Sequence, residues 1–238
     1  MSVANSISRL TTYYTRHGFG ATIRRAGVAV KRSLFSGRMV VFYCDLAKLS
    51  AAPLNIPSSL KFERVGSYAE LSEQDLQEMT SFWNAKLARR RITERFARGA
   101  SLWLVRSENK LAGYGWTLRG CTMEPYYFPL GQNDAHLFDF HVFPQYRGRR
   151  MNPLLVAYIL RTLAGECGGR AFIEAAEWNE AQLSSLRNSP FLRLGLARSF
   201  SLFGLTFASW AKNGPAEQTL KRMEGADRVP TNAGTHEQ

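Results

Sequence analysis

From Leu60 onward, the spacing of apolar residues divides the chain into alternating strands and helices. LKFERV at 60–65 alternates apolar and polar positions, which predicts a half-buried strand because residues two apart share a face of an extended chain. Residues 71–99, LSEQDLQEMTSFWNAKLARRRITERFARG, predict one long helix with a cap near Leu71 or Ser72 and a stop at Gly99. SLWLVRSE and LAGYGWTLRG predict two strands joined by a tight turn around Asn109 and Lys110. HLFDFHVF at 136–143 predicts another strand, 151–169 a helix ending at glycine, and RAFIEAA at 170–176 a strand. A helix over 179–189 and one or two strands within 196–210 complete the pattern. This order predicts an α/β (α+β) fold with a mixed, mostly antiparallel central sheet and helices on both faces. Three consecutive strands in the middle imply an antiparallel meander, not a doubly wound parallel sheet.

The flanks read differently. The first 57 residues hold eight Lys or Arg against one acidic residue, Asp45, and end in the breaker-rich AAPLNIPSS. HGFGATIRRAGVAVKRSLFSG predicts a short basic amphipathic helix, and MVVFYCDL a strand. The chain is therefore expected to divide into a basic N-terminal extension (1–57), a main domain (58–212) and a polar, disordered tail (213–238). The basic helix is expected to pack through its apolar side; the sharper reading is peripheral contact between residues 16–38 and an anionic membrane or a lipid-linked or phosphorylated substrate.

Charge narrows the partners without choosing one. The formal net charge is +12, so nucleic acid, anionic membrane and phosphorylated cofactors all suit the average surface. No nucleic-acid-binding motif is recognisable, which disfavours the first. Cys44, Cys121 and Cys167 are scattered and form no CxxC pair, which argues against a disulfide framework and a structural zinc site. With no apolar stretch of membrane-spanning length, the expectation is a reduced, cytoplasmic protein; its oligomeric state is not legible.

The most distinctive chemistry lies at 142–155, VFPQYRGRRMNPLL. A glycine-containing turn between a strand and a helix N-terminus aims several amides one way and forms an anion site. Arg147, Arg149 and Arg150 add guanidinium groups, whose forked donors suit phosphate. The stretch has neither GxxxxGK[ST] nor GxGxxG, so neither an ATPase phosphate loop nor a dinucleotide fold is indicated.

V-F-P-Q-Y-R-G-R-R resembles the acyl-CoA-binding motif of the GNAT superfamily of N-acyltransferases, with Val142, Gln145 and Gly148 at matching positions. Asn179 followed by F-L-R-L-G-L at 191–196 is similar to the family's N…Y-x-x-L-G-F ending. Two positions depart from the pattern. Arg150 replaces the motif's last small residue, and Phe191 stands where many members carry the tyrosine that protonates the departing thiolate. The resemblance implies transfer of an acyl group, most often acetyl, from acyl-CoA to a primary amine by direct attack on the thioester, with no metal. It implies cofactor contacts at Gln145, Tyr146, Arg147, Gly148, Arg149 and Arg150 for the pyrophosphate. It adds the backbone of Phe140 to Val142 for the pantetheine arm and thioester oxygen, and Asn179.

The amine must lose a proton before it attacks. Strand alternation puts His136, Phe138, Phe140 and Val142 on one face and Leu137, Asp139, His141 and Phe143 on the other. His136 matches the position from which some family members draw a base; Asp139, Glu174 and Glu177 compete with it, while His141 reads as packing or surface. Tyr126, Tyr127 and Phe128 could line an acceptor pocket or belong to a surface loop. A small amine or amino sugar fits the basic surface better than a cationic acceptor does. Two rival readings stand: a catalytically weakened GNAT-like domain that binds acyl-CoA or a protein partner, and a basic nucleic-acid-binding module.

Overall fold

The computed structural model describes residues 37–49, 54–81, 84–124, 126–202 and 205–210. The expected basic helix, residues 16–36 of the expected membrane contact and the tail after 213 lie outside them. The elements run β1 (Arg38–Asp45), β2 (Leu60–Val65), α1 (Glu73–Thr80), α2 (Ala85–Ala97), β3 (Ser101–Ser107), β4 (Lys110–Arg119) and β5 (Ala135–Val142). They continue with α3 (Met151–Cys167), β6 (Arg170–Ala176), α4 (Glu180–Arg187), β7 (Leu192–Leu202) and β8 (Leu205–Trp210). The strands form one sheet in the order β2-β3-β4-β5-β6-β1-β7-β8. Every neighbouring pair is antiparallel except β5 and β6. The expected mixed, mostly antiparallel sheet is what forms. No helix among the described residues is long and apolar enough to cross a membrane.

Two expectations need correction. The boundary drawn at residue 57 runs between strands of a single sheet, because β1 lies between β6 and β7 and pairs with both. Its residues are apolar on both sides: Val40, Phe42 and Cys44 point into the α3-side core, and Val41 into a cluster on the opposite face. An interior strand needs apolar residues on both faces. The second correction concerns the long helix expected over 71–99, which is two helices. Asn84 caps α2, its side chain accepting from the amide of Leu87 at 3.1 Å. An asparagine there satisfies one of the amides that a helix start leaves unpaired.

The β3–β4 connection is a two-residue turn with Glu108 at φ 51° and Asn109 at φ 64°. Positive φ at both positions matches the twist of the flanking strands. Helices α1 and α2 cover one face of the sheet through Leu76, Met79 and Ile92, packed on Leu102, Leu104, Trp116 and Leu118. Helix α3 covers the other through Leu155, Ile159 and Leu163, with Leu183 and Leu186 of α4 beside it.

At the start of α1, Asp75 is buried and bonded twice by Arg106, at 2.9 and 2.7 Å. Burial pushes the Asp75 carboxyl up, but the Arg106 hydrogen bonds and the Ser72 hydroxyl outweigh it and hold the group below its ordinary value. A depressed carboxyl contributes stability above its unfolded-state value, and that contribution is lost as pH falls through the lower folded-state value. The wild type is thus expected to exceed Asp75→Asn in urea midpoint at pH 7, with the gap closing below about pH 4. A gap independent of pH between 7 and 3 would contradict this.

Candidate active site

The site begins with an irregularity in β5. Gly113 and Tyr114 of β4 face Val142 and His141, whereas Trp116 faces Phe138, so Gly115 alone opposes Asp139 and Phe140. This is a β-bulge, and Asp139 occupies it at φ 49°. Gly115 permits it, since a Cβ there would lie 2.4 Å from the Phe140 ring. One extra residue inverts the alternation beyond it. Ala135 and Leu137 face the α3 side before the bulge, as Phe140 and Val142 do after it, while Phe138 and Phe143 face the α2 side. His136 and Phe140 therefore do not share a face, contrary to the simple alternation; His136 shares one with Asp139.

On its other edge β5 pairs with β6 only over residues 135–137, although its pairing with β4 continues to Val142. The two parallel strands separate beyond Leu137, leaving the β6-side backbone of residues 138–142 without a strand partner among the described residues. Directly before the separation, Asp134 clamps the strand starts together. Its carboxylate accepts from Arg170 Nε at 2.8 Å and Nη2 at 2.9 Å, and from the Gly131 amide at 2.8 Å.

An open cleft of about 800 Å³ lies on the α2 side of this separation, lined among others by His136, Asp139, Glu174, Tyr126, Arg91 and Arg95. His136 Nε2 lies 2.8 Å from Glu174 Oε2, and the Tyr126 hydroxyl donates to the same oxygen at 3.2 Å. Burial, with the Glu174 carboxylate beside it, pushes the Tyr126 hydroxyl well above its ordinary value and keeps it a donor. A carboxylate only accepts, so Nε2 carries the proton of the His136–Glu174 bond. Nδ1 of His136 is buried with no hydrogen-bond partner among the described residues, which costs least as a bare lone pair. The His136 side chain is only 6% exposed and that of Glu174 is 21%, so the carboxylate is the end of the pair that meets the cleft. Asp139 forms an ion pair with Arg95, whose guanidinium also lies 5.1 Å from the Trp116 ring.

The loop between β5 and α3 makes a short 3-10 turn at Pro144–Tyr146, then passes through Gly148 at φ 77° and Arg150 at φ 58°. The amides of Gly148, Arg149 and Arg150 donate no backbone hydrogen bond among the described residues. Those of Met151 and Asn152 open α3 and have no intrahelical acceptor. Pro153 occupies the first turn, where its missing N–H is harmless. Left-handed backbone at a non-glycine residue costs about 1–2 kcal/mol. Arg150 bears that strain where a glycine would not.

The family model for the acetyltransferase (GNAT) family matches residues 68–186, a span that runs from before α1 to the end of α4. The chain belongs to the GNAT acetyltransferase family. Its membership supports acyl-CoA-dependent acyl transfer as the class of reaction. Among solved structures, the chain is similar to a tandem GNAT protein from the clavulanic acid biosynthesis pathway, at 17% identity over 70% of this chain and 55% of that one, TM-score 0.49. It is also similar to a GNAT-family acetyltransferase from Colwellia psychrerythraea, at 12% identity over 66% and 53%, TM-score 0.48. A third, described as a GNAT-family acetyltransferase from Novosphingobium aromaticivorans, matches at 15% identity over 67% and 61%, TM-score 0.46. The chain thus spans less than two thirds of the length of each. No curated protein matches it.

Within this GNAT fold, three of the four candidates for the base come together in one cleft: His136, Asp139 and Glu174. Glu177 does not join them; it forms an ion pair with Arg38 at 2.8 Å. Gln145, Tyr146, Arg147, Gly148, Arg149 and Arg150 form the loop at the start of α3, where Arg147 Nε folds back onto the Val142 carbonyl at 3.2 Å. Asn179 caps α4, its side chain accepting from the Gln182 amide at 3.3 Å. Phe191 is buried in the α3-side core. Tyr126 and Tyr127 line the cleft, while Phe128 packs on Phe172 and Trp210. Arg91 and Arg95 of α2, and Arg98 at its C-terminal cap, also line the cleft. Their three- and four-residue spacing was the signal for a shared face. Among the described residues, no group of three or more His, Cys, Asp or Glu side chains is arranged to hold a metal ion.

Proposed function

We propose that this chain is an N-acyltransferase that moves an acyl group, acetyl in the first instance, from acyl-CoA to the primary amine of a small molecule or amino sugar. The reading rests on one observation above all. The Glu174 carboxylate, oriented by His136 and Tyr126, opens into the cleft beside the place where β5 leaves β6. In this reading Glu174 takes a proton from the acceptor's ammonium group and His136 acts as a positioning residue. The freed amine nitrogen bonds to the thioester carbonyl carbon and gives up its second proton to solvent, the carbon–sulfur bond breaks, and its electron pair leaves on the coenzyme A sulfur. Backbone amides of residues 138–142 that face the departed β6 stabilise the transient oxyanion, a role that fixed backbone donors perform without reorganising. Since the buried phenyl ring of Phe191 has no proton to give, the thiolate takes its proton from solvent. Asp139 is held by Arg95 and is not assigned as the base.

Acetyl-CoA titrated by calorimetry, followed by thiol release across a panel of amines, tests the proposal. Binding without turnover of any amine favours the weakened, ligand-binding reading that Phe191 motivates. The cofactor loop is tested by Gly148→Glu, which adds a carboxylate where phosphate is expected. A Cβ added at this glycine would meet no described atom within 4 Å, though its left-handed backbone strains any side chain. Acetyl-CoA affinity is expected to fall about tenfold or more, as like charges repel. Unchanged affinity would remove the loop from the site.

A further inference from the structure

The acceptor cleft continues into a second, more apolar chamber of about 330 Å³ bounded by Met79, Leu87, Ile92 and Tyr114. Arg91, Arg95 and Asp139 line both spaces, so they form the ridge between them. The charges on this ridge differ in how they are spent. Arg95 and Asp139 neutralise one another. Within the cleft, Arg98 donates to the backbone carbonyls of Thr122 and Met123, and Glu94 is held by Arg90 at 2.7 Å. Arg91 is exposed and forms no ion pair among the described residues. The cleft therefore offers the Glu174 carboxylate on β6 and, on α2, the Arg91 guanidinium, which no carboxylate pairs among the described residues; Arg98, bonded only to carbonyls, adds positive charge, and the exposed Glu124 also lines the cleft.

Building on the acyl-transfer reading, we infer that the acceptor is an amine that also carries an anionic group, a carboxylate or a phosphate. The ammonium end meets Glu174 and the anion meets Arg91. A guanidinium fork bonds two oxygens of either anion, so both chemistries suit it. A simple alkylamine leaves Arg91 unmatched. A dication places its second charge against it.

The spacing between the two groups is read by an ω-amino acid series: β-alanine, 4-aminobutyrate and 6-aminohexanoate, each compared with its own amide. A second arm compares 2-aminoethyl phosphate with ethanolamine and separates phosphate from carboxylate. KM and calorimetric affinity are measured for each on the full chain saturated with acetyl-CoA. At least one anionic acceptor is expected to show a KM about ten- to a hundredfold below its neutral partner, the worth of a hydrogen-bonded charge pair. Arg91→Gln should collapse that ratio toward one, and Arg91→Lys should keep much of it. Equal KM values within every pair, or a preference that survives in Arg91→Gln, overturns the inference. Turnover of the neutral amines without discrimination refutes the acceptor class while leaving acyl transfer intact. A chain that binds no acetyl-CoA overturns the acyl-transfer reading instead, and direct titration of the acceptors still decides the anion subsite.

Discussion

Glu174→Gln is expected to lower kcat/KM for acetyl transfer by about 10²- to 10⁴-fold, the usual contribution of a positioned proton acceptor. The substitution keeps the size of the side chain and an oxygen to accept from His136 Nε2 and the Tyr126 hydroxyl, which lie 2.8 and 3.2 Å away. What it removes is the ability to take a proton from the incoming ammonium. Folding and acetyl-CoA affinity are therefore expected to stay near wild type. A pH profile separates this role from a structural one. Without an internal base only amine already deprotonated in solution reacts, so the variant's rate should climb about tenfold per pH unit until the amine itself titrates. Activity within about threefold of wild type, or a flat deficit at every pH, would assign the proton to another group.

Asp134→Ala carries the largest expected cost in stability. The carboxylate is 4% exposed and holds both the guanidinium and the amide of Arg170, as well as the amide of Gly131. Removing one partner of a buried pair costs about 3–5 kcal/mol, because the remaining charge stays desolvated without compensation. For a chain of this size, that corresponds to a melting temperature lower by roughly 6–20 °C. Asp134→Leu combined with Arg170→Met should recover much of the loss, since an apolar pair leaves no stranded charge. The clamp lies next to the short parallel pairing of residues 135–137 with 171–173, on which the separation of β5 from β6 depends. Acetyl transfer is thus expected to fall at temperatures where most of the variant is still folded. A melting temperature within about 2 °C of wild type would show that Arg170 finds another partner at no cost.

The sequence revealed the elements better than their arrangement. Helix α3, the β3–β4 hairpin and the glycine loop were legible because periodicity and turn chemistry are local. The place of β1 was not, since its neighbours β6 and β7 lie more than a hundred residues away and its basic surroundings suggested an appendage. Its two-sided apolar pattern was the available signal. Alternation failed at Asp139 because a bulge depends on the opposing strand, here on Gly115, and on nothing within HLFDFHVF itself. The cleft escaped for a similar reason. Glu174 and His136 were both candidates, but their pairing required β5 and β6 to lie in parallel register, with His136 opposite Phe172. The role of Arg91, Arg95 and Arg98 depended on which face of α2 meets β5.

The central position of β1 also orders events during synthesis. The strand leaves the ribosome well before its partner on β6, which follows about 130 residues later, on the order of ten seconds at about 5–20 residues per second. During that interval an apolar segment must wait unpaired, while β2, β3 and β4 find their neighbours within the meander and β5 still lacks β6. The nascent protein therefore assembles from the middle outward. The half of the sheet that carries Glu174 is sealed only when β1 closes between β6 and β7, so the Glu174 carboxylate is among the last features to reach its place.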